Sequence, residues 1–108
     1  MNNLKNSILS DIDLKDGNVT YYDFEIDFNL PFDSQKWSFK EDLIQISYND
    51  SKYIIDVGWH PEFEPEGNFT VVAVKDYEWD NPILKKTCKD LKELKKYIQE
   101  AVENINRT

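Results

Sequence analysis

The strand-like runs of this chain are joined by connections too short to hold crossover helices. That disfavours a parallel sheet and points to neighbouring strands that run antiparallel. The runs cover residues 22–28, 43–48, 52–59, 69–74 and 83–88. In the first, Tyr22, Phe24, Ile26 and Phe28 alternate with Asp23, Glu25 and Asp27, a period of two that predicts a half-buried strand with an acidic outer stripe. Leu30-Pro31 ends it, because proline cannot extend a ladder. Residues 31–40 read as a loop or irregular edge, with Trp37 and Phe39 folding back.

Asn49-Asp50-Ser51 is a short polar joint and predicts a hairpin between the second and third strands. In the third, Tyr53, Ile55, Val57 and Trp59 share one face, and Ile54, Asp56, Gly58 and His60 the other. Residues 60–67, with two prolines and three glutamates, form a loop, and Asp80-Asn81-Pro82 a turn. Asp90 reads as an N-cap with Glu93 completing a capping box. Leu91, Leu94, Ile98, Ala101, Val102 and Ile105 then recur at helical spacing opposite Lys92, Lys95, Lys96, Gln99, Glu100 and Glu103. The spacing of Leu4, Ile8 and Ile12 allows a short N-terminal helix. The expected fold class is α+β, an antiparallel sheet of about five strands with a C-terminal amphipathic helix packed on one face. At 108 residues the expectation is a single domain over 1–108.

Charge is unevenly spread. Residues 1–82 carry 17 acids and 6 bases, whereas residues 83–108 carry 4 acids and 7 bases. An acidic face of this kind repels nucleic acid and steers cationic proteins inward. Nucleic acid is therefore not an expected partner. Neither is a membrane, since no apolar run nears the roughly 20 residues of a membrane helix. The opening MNNLKNSILSDIDLKDG lacks a basic segment followed by an apolar one, so the expected compartment is cytoplasmic.

Few residues offer catalytic chemistry. His60 shares a strand face with Asp56 but has no nucleophile beside it and reads as a loop histidine. Glu62, Glu64 and Glu66 alternate without the calcium-loop register and read as a solvated acidic loop. Cys88 is the one cysteine, which excludes an internal disulfide; it stands two residues before the helix and reads as a buried strand-end thiol. No catalytic residue, cofactor or metal ligand is assigned. What stands out is residues 56–82, where aromatics sit among acids. Trp and Tyr beside carboxylates suit an interface anchor, and Trp79 is either such an anchor or satellite core. The candidate partner-binding residues are Tyr77, Glu78, Trp79, Asp80, Glu62, Phe63 and Glu64.

The run DVGWHPEFEPEGNF over 56–69, continuing to Glu78-Trp79-Asp80-Asn81-Pro82 and the amphipathic helix, resembles small bacterial immunity proteins of polymorphic or contact-dependent growth-inhibition toxin systems. The resemblance covers about the last half of the chain and lies in size, acidity, aromatic content and the order sheet then helix; it transfers no individual residue. It implies a non-enzymatic cytoplasmic antitoxin that occludes the active site of a cognate toxin domain, often a basic nuclease, as a monomer or homodimer. Two other readings stand beside it. One is a small enzyme or ligand-binding domain with a pocket on the open sheet face around Trp59 and His60. The other is an adaptor that dimerises through a sheet edge.

Overall fold

The computed structural model describes residues 7–107. Five strands, β1 (Asn18–Tyr22), β2 (Ile44–Tyr48), β3 (Tyr53–His60), β4 (Asn68–Lys75) and β5 (Leu84–Cys88), form one sheet in chain order, every neighbouring pair antiparallel. Helix α1 (Leu91–Asn106) closes the chain and packs on β3, β4 and β5. The expected α+β architecture is what the chain adopts. Among the described residues no helix is long and apolar enough to cross a membrane.

The register explains the core. Ile44 pairs with Val57 and Ile46 with Ile55, while Val57 faces Val71 and Trp59 faces Phe69. All of these side chains are fully buried on the face that meets Leu94, Ile98, Ala101 and Val102 of α1. Each strand contributes every second residue, and the helix one apolar stripe, so the two stripes are buried against each other. Asp90 caps the helix as expected, its Oδ1 accepting from the Glu93 N–H at 2.7 Å. The 49–51 joint closes the β2–β3 hairpin with three successive left-handed residues, Asn49, Asp50 and Ser51 (φ 52°, 54° and 73°). Asn and Asp tolerate that region better than most side chains.

Three local expectations are corrected. The first strand is Asn18–Tyr22, and residues 23–28 leave the ladder after the Asp23 N–H donates to the Leu43 carbonyl. Beyond that point the chain on the β2 side turns onto β3 and offers 24–28 no partner. The alternation still works as a packing pattern: Ile26 is buried, and the rings of Phe24 and Phe28 lie 5.9 and 6.0 Å from that of Phe69. Residues Phe32–Ser38 form a kinked 3-10 helix; Phe39 folds back fully, whereas Trp37 stays 66% exposed. Residues 7–12 run through turns rather than a helix; Leu4 lies outside the described residues. Polar contacts pin this segment: Gln99 of α1 both accepts from the Asp13 N–H and donates to its carbonyl, and Tyr48 Oη donates to the Leu14 carbonyl at 2.9 Å.

Candidate functional site

The sheet face opposite α1 carries a cleft of about 260 Å³ lined by Glu41, Asp42, Gln45, Asp56, His60 and Trp79. Gln45 and Asp56 are cross-strand partners on β2 and β3, and Gln45 Nε2 donates to Asp56 Oδ2 at 2.8 Å. A second hollow of about 340 Å³, lined by Thr20, Tyr21, Asp42 and Gln45, shares two of these residues. The two hollows adjoin at Asp42 and Gln45; Tyr21 lines one and Trp79 the other, and these aromatics are 42% and 46% exposed.

A break in the ladder aims the acids here. The Leu43 N–H donates to the Val57 carbonyl and the Trp59 N–H to the Lys40 carbonyl, both at 2.9 Å. Two residues, Glu41 and Asp42, are left looped out opposite one, Gly58. Extra residues on one strand of a pair re-aim side chains in this way. Gly58 makes it possible: a Cβ there would lie 1.8 Å from the Glu41 carbonyl oxygen. The Glu41 N–H in turn donates to Glu62 Oε2 at 3.2 Å.

Trp79 arrives from the opposite end of the sheet. Asp76 and Tyr77, both left-handed (φ 55° and 60°), reverse the chain after β4, and the 76–83 connection returns over the outer face. Residues 77–80 are all exposed; Trp79 is the one among them that lines the cleft.

The cleft carboxylates form no ion pair among the described residues. Among the described residues the ion pairs are Lys15 with Asp13 and Glu103, Lys40 with Asp23, and Lys95 with Asp11, so Glu41, Asp42 and Asp56 have none. Burial raises the Asp56 carboxyl above the usual carboxylate range. The Gln45 hydrogen bond and His60 oppose the shift, and the charges of Asp42 and Glu41 add to it. Lys40, the base nearest this charge in the chain, is held by Asp23 at 2.6 Å. Among the described residues no three His, Cys, Asp or Glu side chains converge closely enough to hold a metal ion.

The candidate residues thus fall on two surfaces. Trp79 lines the cleft, and Glu62 is tied to the cleft residue Glu41 through the Glu41 N–H. Phe63 instead stacks edge-on against Trp37 with centroids 5.1 Å apart, forming an aromatic ridge beside it. Phe63 sits at φ 65°, a region costly for a bulky residue, and its N–H donates to the Phe39 carbonyl at 2.7 Å. Glu64 serves the core through its carbonyl, which accepts from Trp59 Nε1 at 2.7 Å. Trp59 is fully buried on the helix side, so the hollow beside His60 is walled by Trp79 and not by Trp59. Sequence reasoning missed Glu41, Asp42, Gln45, Tyr21 and Trp37. The available signal was Gly58, a glycine inside an apolar strand, which marks a close approach of another segment.

Cys88 is buried against the core at 6% exposure. Burial pushes its thiol up to about 12, and the Glu93 and Asp90 carboxylates push the same way, outweighing the nearby helix N-terminus. The native protein should therefore resist a thiol-specific disulfide reagent at neutral pH and react fully once unfolded in guanidinium chloride. Rapid stoichiometric labelling of the folded chain would contradict this.

Comparison with protein-family models, with curated proteins and with solved structures finds no match to this chain.

Proposed function

We propose that this chain is a non-catalytic immunity protein that binds a basic toxin domain in the cytoplasm and blocks its active site through the outer face of the sheet. The observation that carries the reading is the pair of adjoining hollows bearing Tyr21 and Trp79, whose three carboxylates form no ion pair among the described residues. Unpaired carboxylates raise the local concentration of a cationic partner, and exposed aromatics supply the desolvated contact that retains it. A toxin that grips phosphate would meet in these carboxylates a substitute for its substrate's charge. The ligand-binding reading rests on the same cleft and differs in the size of its occupant. Edge-to-edge dimerisation through β5 is weighed against by Lys85 and Lys86, since lysines on an edge discourage strand addition; the other edge, β1, carries no lysine.

The test is co-expression with any toxin domain found encoded beside this gene. The chain should restore growth and co-purify with the toxin in equal amounts. Raising the salt should slow association. Trp79→Ala should speed dissociation by about 30-fold, the equivalent of about 2 kcal/mol for an anchor residue. Growth arrest that the chain does not relieve would sink the reading.

A further inference from the structure

We propose that the cleft between Trp79 and Asp56 is a receptor for a single arginine side chain presented by the partner protein. This deepens the immunity reading and rests on it only in taking the occupant to be part of a protein.

Several features select a guanidinium. The cleft is bordered by Glu41, Asp42 and Asp56, none of which is in an ion pair among the described residues, with His60 lining the same cleft and favouring the ionised Asp56. Asp56 has one hydrogen-bond partner, Gln45, which engages Oδ2. Oδ1 is thus left for a donor. The cleft carboxylates form no metal-holding triad among the described residues. They suit a planar cation with five donors in a fork, and the Trp79 indole adds a π surface on which guanidinium stacks better than ammonium. Lys40 cannot fill the cleft while its ammonium is held by Asp23.

The cleft is also held against its own repulsion. The Asp56 carboxyl is raised by burial and by its acidic neighbours Asp42 and Glu41, so keeping it ionised costs the fold. In the window between the ordinary and the raised value the folded state binds more protons than the unfolded one. Stability therefore increases as pH falls through that window. An amide at this position removes the cost, so Asp56→Asn should melt no lower than the parent at neutral pH.

The test uses the tripeptides Gly-Arg-Gly and Gly-Lys-Gly titrated into the intact chain, followed by amide shifts and the Trp79 indole N–H resonance. The arginine peptide should saturate with a dissociation constant on the order of millimolar, as befits one side chain. It should bind at least tenfold tighter than the lysine peptide and move only residues around Glu41, Asp42, Gln45, Asp56, His60 and Trp79. Asp56→Asn should lose at least tenfold while keeping the parental melting temperature. Equal response to both peptides, shifts centred elsewhere, or full binding by Asp56→Asn would overturn the proposal. Its failure is separable from that of the immunity reading. Should Asp56→Asn still neutralise the toxin and bind the peptide as well as the parent, the cleft is wrong and the inhibitor stands. An arginine peptide that binds as described to a chain giving no protection upholds the cleft and rejects the inhibitor.

Discussion

Replacing Ile98 with aspartate should leave a chain without a cooperative thermal unfolding transition. Ile98 is fully buried near the middle of the α1 stripe, with Leu94 before it and Val102 after it, all against the sheet. The substitution removes an apolar side chain from a filled site, at about 2–5 kcal/mol for truncations of this kind. It also places a carboxylate where the core offers no partner, which costs several kcal/mol more. Domains of this size hold about 5–15 kcal/mol in total, so the two losses together exhaust the margin. Circular dichroism on heating decides it. Lys96→Ala, on the exposed side of the same helix, is the control and should stay within about 0.5 kcal/mol of the parent. An Ile98→Asp protein that melts cooperatively near the parental temperature would mean that the helix does not cover the sheet.

That prediction rests on an element fully legible in the sequence, because its signals are local. The Asp90 cap, the apolar stripe and the absence of proline within 83–105 all lie within one short stretch of chain. The hairpin at Asn49-Asp50-Ser51 was legible for the same reason. What could not be read depends on distant segments. The alternation from Tyr22 to Phe28 states which side chains turn inward and is silent on whether a neighbouring strand is available. The last bond on that side runs from the Asp23 N–H to the Leu43 carbonyl; beyond it Glu41 and Asp42 loop out, and residues 24–28 pack without pairing. Asn18–Tyr22, which does pair, lies in a stretch where the burial pattern does not alternate cleanly.

The candidate site divides along the same line. Trp79 could be singled out from its own neighbourhood, because an indole among acids before a turn has no core stripe to join. Its companions could not, since Glu41 and Asp42 reach the cleft through a bulge whose cause is 17 residues away at Gly58. Trp79 lines the cleft whereas Phe63 stacks on Trp37, for a related reason. Their loops leave opposite ends of β4, and only the fold of 76–83 across the sheet decides which residues meet. Glu62, adjacent in sequence to Phe63 and bonded to the Glu41 N–H, is where ridge and cleft adjoin.

Gly58→Ala should both destabilise the protein and dismantle the cleft, a coupling that a purely structural glycine would not show. The residue is not needed for backbone freedom, because none of the described glycines has a positive φ. It is needed for space: the added Cβ would stand 1.8 Å from the Glu41 carbonyl oxygen, and backbone cannot swing aside as a side-chain tip can. The 40–43 segment must lift from β3. That strains the bonds from Trp59 N–H to the Lys40 carbonyl and from Leu43 N–H to the Val57 carbonyl, and it loosens the fully buried Phe39 that precedes them. Overpacking of this kind costs about 1–3 kcal/mol, and each kcal/mol lowers the melting point of a small domain by roughly 4–8 °C. Gly17→Ala provides the comparison. Its Cβ would meet the Tyr48 ring at 2.6 Å on the core side, so it too should lower stability. Only Gly58→Ala should move the Glu41 and Asp42 amide resonances and weaken arginine-peptide binding beyond what unfolding accounts for. If both glycine variants lose stability and both keep the cleft's affinity, the bulge over Gly58 is scaffolding alone and Glu41 and Asp42 have no part in holding the cation.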